Sequence, residues 1–147
     1  MNDVNTNPVH PELSANQVAH LTMIQGIVTR LETNCLCLKA VAVSLSVALL
    51  AINAALDVQI TQLAFLGLVP VGVFIYLDAR YLQLGRSYRK LYSAVCQGQP
   101  VAPFTMDISA YSSQVPSLFA TVCSWSVAWV YGVLLLIQTV PLVLYCW

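Results

Sequence analysis

Residues 58–77, VQITQLAFLGLVPVGVFIYL, run for twenty residues without a charged side chain. A helix of ~20 residues rising 1.5 Å per residue matches the ~30 Å hydrocarbon core of a bilayer. No water reaches that core to satisfy peptide groups, so a helix is the form such a run has to take. Residues 40–56 and 117–147 are also uncharged. Only 8% of the 147 residues are charged and 59% are hydrophobic, whereas a soluble domain carries about 25% charged residues. The chain therefore reads as an all-α integral membrane protein with three transmembrane helices.

Residues 1–12 carry two prolines and little apolar content, and read as a disordered tail before a single α-helical membrane domain over 13–147. Ser14 and Gln17 have the spacing of a capping box, and Leu13 with Val18 that of a hydrophobic staple. From there a heptad seam runs Leu21, Ile24, Val28, Leu31, Cys35, Leu38 and on through Ala42, Leu45, Leu49 and Ile52. Spacings of three and four sustained this far predict one long helix over 14–56, packed along one face, with its membrane part at 40–56. Ala40, Ser44 and Ala48 form a small-residue face that lets another helix approach.

Asp57 marks a turn. A second helix is expected over 58–96, spanning about 60–78 and bent at Pro70. Residues 97–116 are rich in Pro, Ser and Gln and read as an ordered loop or strap. A third helix, tilted or partly protein-buried, is expected over 117–146. Trp125, Trp129, Tyr131, Tyr145 and Trp147 are its candidate interface anchors.

Four of the six Lys/Arg residues fall in YLDARYLQLGRSYRKLYSAV, residues 76–95. Arg30 and Lys39 precede the first span and the 54–60 turn has no basic residue. The positive-inside rule then places the N-terminus and 79–116 in the cytoplasm and the C-terminus on the far side. Leu77, Tyr81, Leu84, Tyr88, Leu91 and Val95 make a stripe that can dock on the first helix, so the cytoplasmic extensions form a helical hairpin. Arg86, Arg89 and Lys90 are left outward, with Arg80 nearer the membrane.

Little in the chain suggests catalysis. His10 and His20 are the only histidines, the acids are scattered singly, and there is no phosphate-binding glycine loop or metal-ligand cluster. No enzyme activity, cofactor or metal is expected. The cysteines Cys35, Cys37, Cys96, Cys123 and Cys146 read as small apolar packing residues. Asp78 closes the second span, either as an ion pair with Arg80 or Arg30 or as a charged vestibule residue. Asn53, Gln62, Ser124, Gln138 and Thr139 are polar groups in or beside the spans, where each must face a helix or water. Singly they suit interhelical hydrogen bonds. In an oligomer Asn53, Gln62, Ser124 and Gln138 are pore-lining candidates. Net charge is zero, so any affinity for anions is local. Around a symmetry axis, a tetramer being favoured, Arg86, Arg89 and Lys90 become a ring suited to phosphates. The plainer alternative is positive-inside anchoring against anionic lipid.

HLTMIQGIVTRLETNCLCLKAVAVSLSVALLA, then YLDARYLQLGRSYRKLYSAV and FTMDIS, resembles a family of small bacterial membrane proteins from anti-phage defence loci, in particular the Hailong-type channel effectors. That pattern is matched by His20, Met23, Ile24, Gln25, Arg30, Lys39, Asp78, Tyr81, Leu82, Arg86, Tyr88, Arg89, Leu91 and Tyr92. The match covers most of 19–108. Gly85 stands where the family has an acid, and Leu31 where it has Met. The resemblance implies an oligomeric inner-membrane ion channel gated by a nucleotide or single-stranded DNA oligomer that a partner nucleotidyltransferase makes. Arg80, Arg86, Arg89 and Lys90 would contact its phosphates. The rival expectation is a non-conducting accessory or scaffold subunit that anchors a cytoplasmic defence partner.

Overall fold

The computed structural model describes residues 14–56 and 60–145, and within them the side chains of all but 53, 54, 56, 60–66 and 140–145. Every regular element among the described residues is helical. They are α1 (Ala15–Leu56), α2 (Ile60–Cys96), α3 (Ser109–Ser112), α4 (Leu118–Val122) and α5 (Trp125–Tyr145). The expected tail, the Asp57 turn, Leu13 and Cys146 lie outside the described residues.

The start of α1 shows how local chemistry sets an end. The Ser14 N–H donates to Gln17 Oε1 at 2.9 Å and the Gln17 N–H donates to Ser14 Oγ at 3.3 Å. This reciprocal pair satisfies donors that the first turn leaves without helical partners.

α1 and α2 lie antiparallel. At one end Leu21 and Ile24 of α1 bury against Leu91 and Val95 of α2. At the other, Ala42 of α1 meets Val71 of α2 and Val127, Tyr131 and Leu134 of α5. The described residues thus form two cores, a two-helix one covered by the strap and a three-helix one. α2 runs as one helix through Pro70.

The heptad stripes are followed only in part. On α1, Leu45 and Ile52 are exposed while Ser46 is buried beyond Ala42. On α2, Leu91 and Val95 are buried but Leu84 is exposed. A straight helix drifts ~20° per heptad against a seven-residue repeat, so stripes that face each other at one end have rotated apart further along.

The expected helix 117–146 is broken at Cys123–Ser124. Neither Pro nor Gly stands at the break, and two hydroxyls bond to carbonyls there, a local alternative to the helical ladder. Thr121 Oγ1 donates to Ser117 O at 3.0 Å and Ser124 Oγ to Thr121 O at 2.6 Å. The Ser124 and Val127 amides then turn to carbonyls three residues back rather than four. Tyr131, expected as an interface anchor, is 1% exposed in the three-helix core. Trp125 and Trp129 are exposed and stacked, with centroids 5.5 Å apart. Of the cysteines, Cys35 is half-buried, but Cys37, Cys96 and Cys123 are exposed rather than packed, and none of these four is in a disulfide.

Among the described residues only α1 contains a segment both long and apolar enough to cross a bilayer, Ala15–Ile52; α5 has a shorter apolar run, Trp125–Thr139. Large apolar side chains stand exposed on all three long helices, among them Val41 and Val47 on α1, Val69 and Val73 on α2, and Leu136 on α5.

Candidate functional site

The strap decides the site. Residues 97–108 leave α2 through Gly98, whose φ of +67° is a backbone conformation glycine adopts without steric cost. Val101, Met106, Ile108 and Tyr111 then pack on the Leu21–Ile24–Leu91–Val95 core. Between them the chain turns at Ala102–Thr105, with the Thr105 N–H donating to Ala102 O at 3.2 Å. Phe104 takes a φ of 58° there, which costs a residue with a Cβ roughly 1–2 kcal/mol. The turn delivers the Thr105 carbonyl to His20, buried on α1, at 2.8 Å from Nε2. A carbonyl only accepts, so Nε2 carries the proton and donates. His20 thus pins the strap to α1.

With the strap pinned, a groove of about 660 Å³ opens between it and α2. Arg86, Arg89 and Lys90 line one side, and Gln97, Gln99, Tyr111 and Gln114 supply amides and a phenol from the other. Arg89 pairs with Glu32 of α1, both side chains being more than half exposed. Arg86 donates to Thr121 Oγ1 of α4 at 3.3 Å. Among the described residues neither Arg86 nor Lys90 has a carboxylate partner. The groove therefore carries uncompensated positive charge, amide donors and a volume within the usual range for small ligands. That combination can hold an oxyanion.

Arg80 does not join this group. It borders a second groove, of about 400 Å³, on another side of the strap. Its guanidinium donates to Gln83 Oε1 at 3.1 Å, and Gln83 Nε2 donates to Pro116 O at 3.1 Å.

Asp78 is fully buried, and its partner is neither Arg80 nor Arg30. Lys39 Nζ of α1 reaches Asp78 Oδ2 at 2.6 Å. The contact is an ion pair within a largely buried setting, Lys39 being 17% exposed and Asp78 fully buried. Cys35 of α1 and Tyr131 of α5 stand close enough to feel the carboxylate. A legible signal existed: Lys39 is the lone charge of α1 beyond Glu32, and Asp78 is the lone charge of α2 before Arg80.

Of the pore-lining candidates, the structure describes the side chains of Ser124 and Gln138. Gln138 is buried within the chain's own helix bundle, donating from Nε2 to Ser46 Oγ at 3.0 Å, while Ser46 donates to Ala42 O at 2.8 Å. Gly67 allows this, because a Cβ there would stand 2.6 Å from Gln138 Oε1. Ser124 sits in the α4–α5 break, bonded to Thr121 O. The side chains of Asn53 and Gln62 lie outside the described residues. Thr139 Oγ1 donates to Leu136 O within its own helix at 3.1 Å.

No family model, curated protein or solved structure matches the chain.

Proposed function

We propose that this protein is an oligomeric ion channel of the bacterial inner membrane that acts in anti-phage defence and is gated at its cytoplasmic basic groove by an anionic nucleotide or DNA oligomer. The observation that carries the ligand half of this reading is the convergence of Arg86, Arg89 and Lys90 on one groove faced by strap amides. Symmetry, with a tetramer favoured, repeats that groove around an axis. This reading takes the exposed apolar side chains on α1, α2 and α5 as lipid-facing, and under it the basic residues orient the N-terminus inward and the C-terminus outward.

The test is conductance of purified protein in liposomes, with and without a short DNA oligomer or nucleotide. Ion flux that the ligand changes, and that Arg86→Glu with Arg89→Glu uncouples from the ligand, is the expected result. Silent liposomes under every ligand condition would sink the channel.

A second reading is favoured by Gln138. Its donation to Ser46 inside the bundle removes one polar group from any shared lumen. On that reading the protein is a non-conducting membrane scaffold whose hairpin anchors a cytoplasmic defence partner. A stoichiometric protein partner in pull-down, without ion flux, distinguishes it.

A further inference from the structure

We infer that the α2 face running from Val69 to Arg80, where it meets the second groove at Tyr76 and Leu77, is a site for one anionic phospholipid, its acyl chain along that apolar face and its phosphate on the guanidinium. The inference rests on the membrane reading above.

The groove, of about 400 Å³, is walled by Tyr76, Leu77 and Leu84 of α2 and by Ile108 and Val115 of the strap, with Arg80 at its edge. Its lining is mainly apolar, unlike that of the basic groove. It is also continuous with the apolar surface of α2. Val69, Val73, Tyr76, Arg80 and Leu84 are all exposed and are spaced four, three, four and four residues apart, which sets them on one helix face. An acyl chain lying along Val69 and Val73 therefore reaches Arg80 without leaving apolar surface. Arg80 is the first cation after the uncharged run of α2, the level at which a phosphate headgroup sits.

The guanidinium is held ready. Gln83 accepts one of its donors and is itself tied to Pro116 of the strap. Among the described residues no carboxylate pairs with Arg80, so its remaining donors can take a phosphate. A polar or zwitterionic occupant would leave either the apolar wall or the net charge unanswered.

The experiment is native mass spectrometry and lipid titration of the full chain, with phosphatidylglycerol set against phosphatidylcholine, after carbonate extraction of the membranes that carry it. Retention in the carbonate-washed membrane, preferential binding of phosphatidylglycerol, and about fivefold weaker binding by Arg80→Gln are expected. Arg80→Lys should keep part of the preference, since it retains charge but not the planar fork. Equal binding of the two lipids, or no effect of Arg80→Gln, overturns the site while leaving the membrane reading intact. Competition by glycerol phosphate as effective as by the whole lipid overturns the acyl half, and thus the lipid as occupant. Release by carbonate overturns the membrane reading and this inference with it.

Discussion

Lys39 Nζ of α1 lies 2.6 Å from the carboxylate of Asp78 on α2, and the carboxylate is fully buried. This contact joins the two long helices between their two cores. Truncating one member of such a pair strands the other charge without solvent. Lys39→Met should therefore destabilise the fold by about 3–5 kcal/mol, and pairing it with Asp78→Leu should recover most of that loss. Thermal unfolding in one detergent, read by circular dichroism across the single and double variants, checks it. Full loss in the double variant would mean that packing, not charge, matters there.

His20→Ala removes the donor that pins Thr105. The direct loss is about 1 kcal/mol, but it should concentrate in the strap. Amide exchange of residues 104–112 should rise well above that of α1 and α2. Uniform exchange across the hairpin would show that His20 supports the helix pair rather than the strap.

Gly67→Ala places a Cβ against Gln138 Oε1, and overpacking of this kind costs about 1–3 kcal/mol. Gln138→Ala alone also destabilises, since it breaks the bond to Ser46. In the double variant the clash is gone, so the two costs should combine to less than their sum in a double-mutant cycle.

Asp107 Oδ1 accepts the Ser109 N–H at 2.8 Å at the strap end of α3. That bond holds its carboxyl below the ordinary 3.8. The folded value is depressed, so the stability it contributes is complete above pH 3.8 and is lost as pH falls through the lowered value. Carboxyl chemical shifts followed by pH titration should show a midpoint below that of a free aspartate, and Ser109→Pro should return it upward.

Arg89 and Glu32 pair in solvent, where such a bridge is worth about 0.2–1 kcal/mol. Arg89→Glu should hence leave the melting temperature nearly unchanged while weakening the binding of a DNA oligomer several-fold. Comparable losses in both would mark Arg89 as a structural residue rather than a ligand contact.

The site was half legible. Arg86, Arg89 and Lys90 are visible in the chain because one helix carries them within five residues. Their opposite wall was not, because Gln99, Tyr111 and Gln114 are brought there by a strap whose path depends on a bond across 85 positions, from His20 to Thr105. Arg80 reads as a neighbour of the same cluster, yet helix rotation puts it at a different groove. The break at Cys123–Ser124 is hard to read for a related reason. Ser117, Thr121 and Ser124 are weak local breakers, and their effect competes with a strong apolar helix pattern.

Alone, the sequence determines that this chain is helical, that α1 starts at a Ser14–Gln17 box, and that charge gathers at one end of α2. Those properties arise from periodicity, short-range hydrogen bonds and composition, which act within a few residues. Tertiary structure decides which lone charge meets which, that Gln138 turns inward to Ser46, and that one strap divides four cations into two sites. Those outcomes depend on the rotation of each helix about its own axis, and only packing against the other helices and the strap sets that rotation.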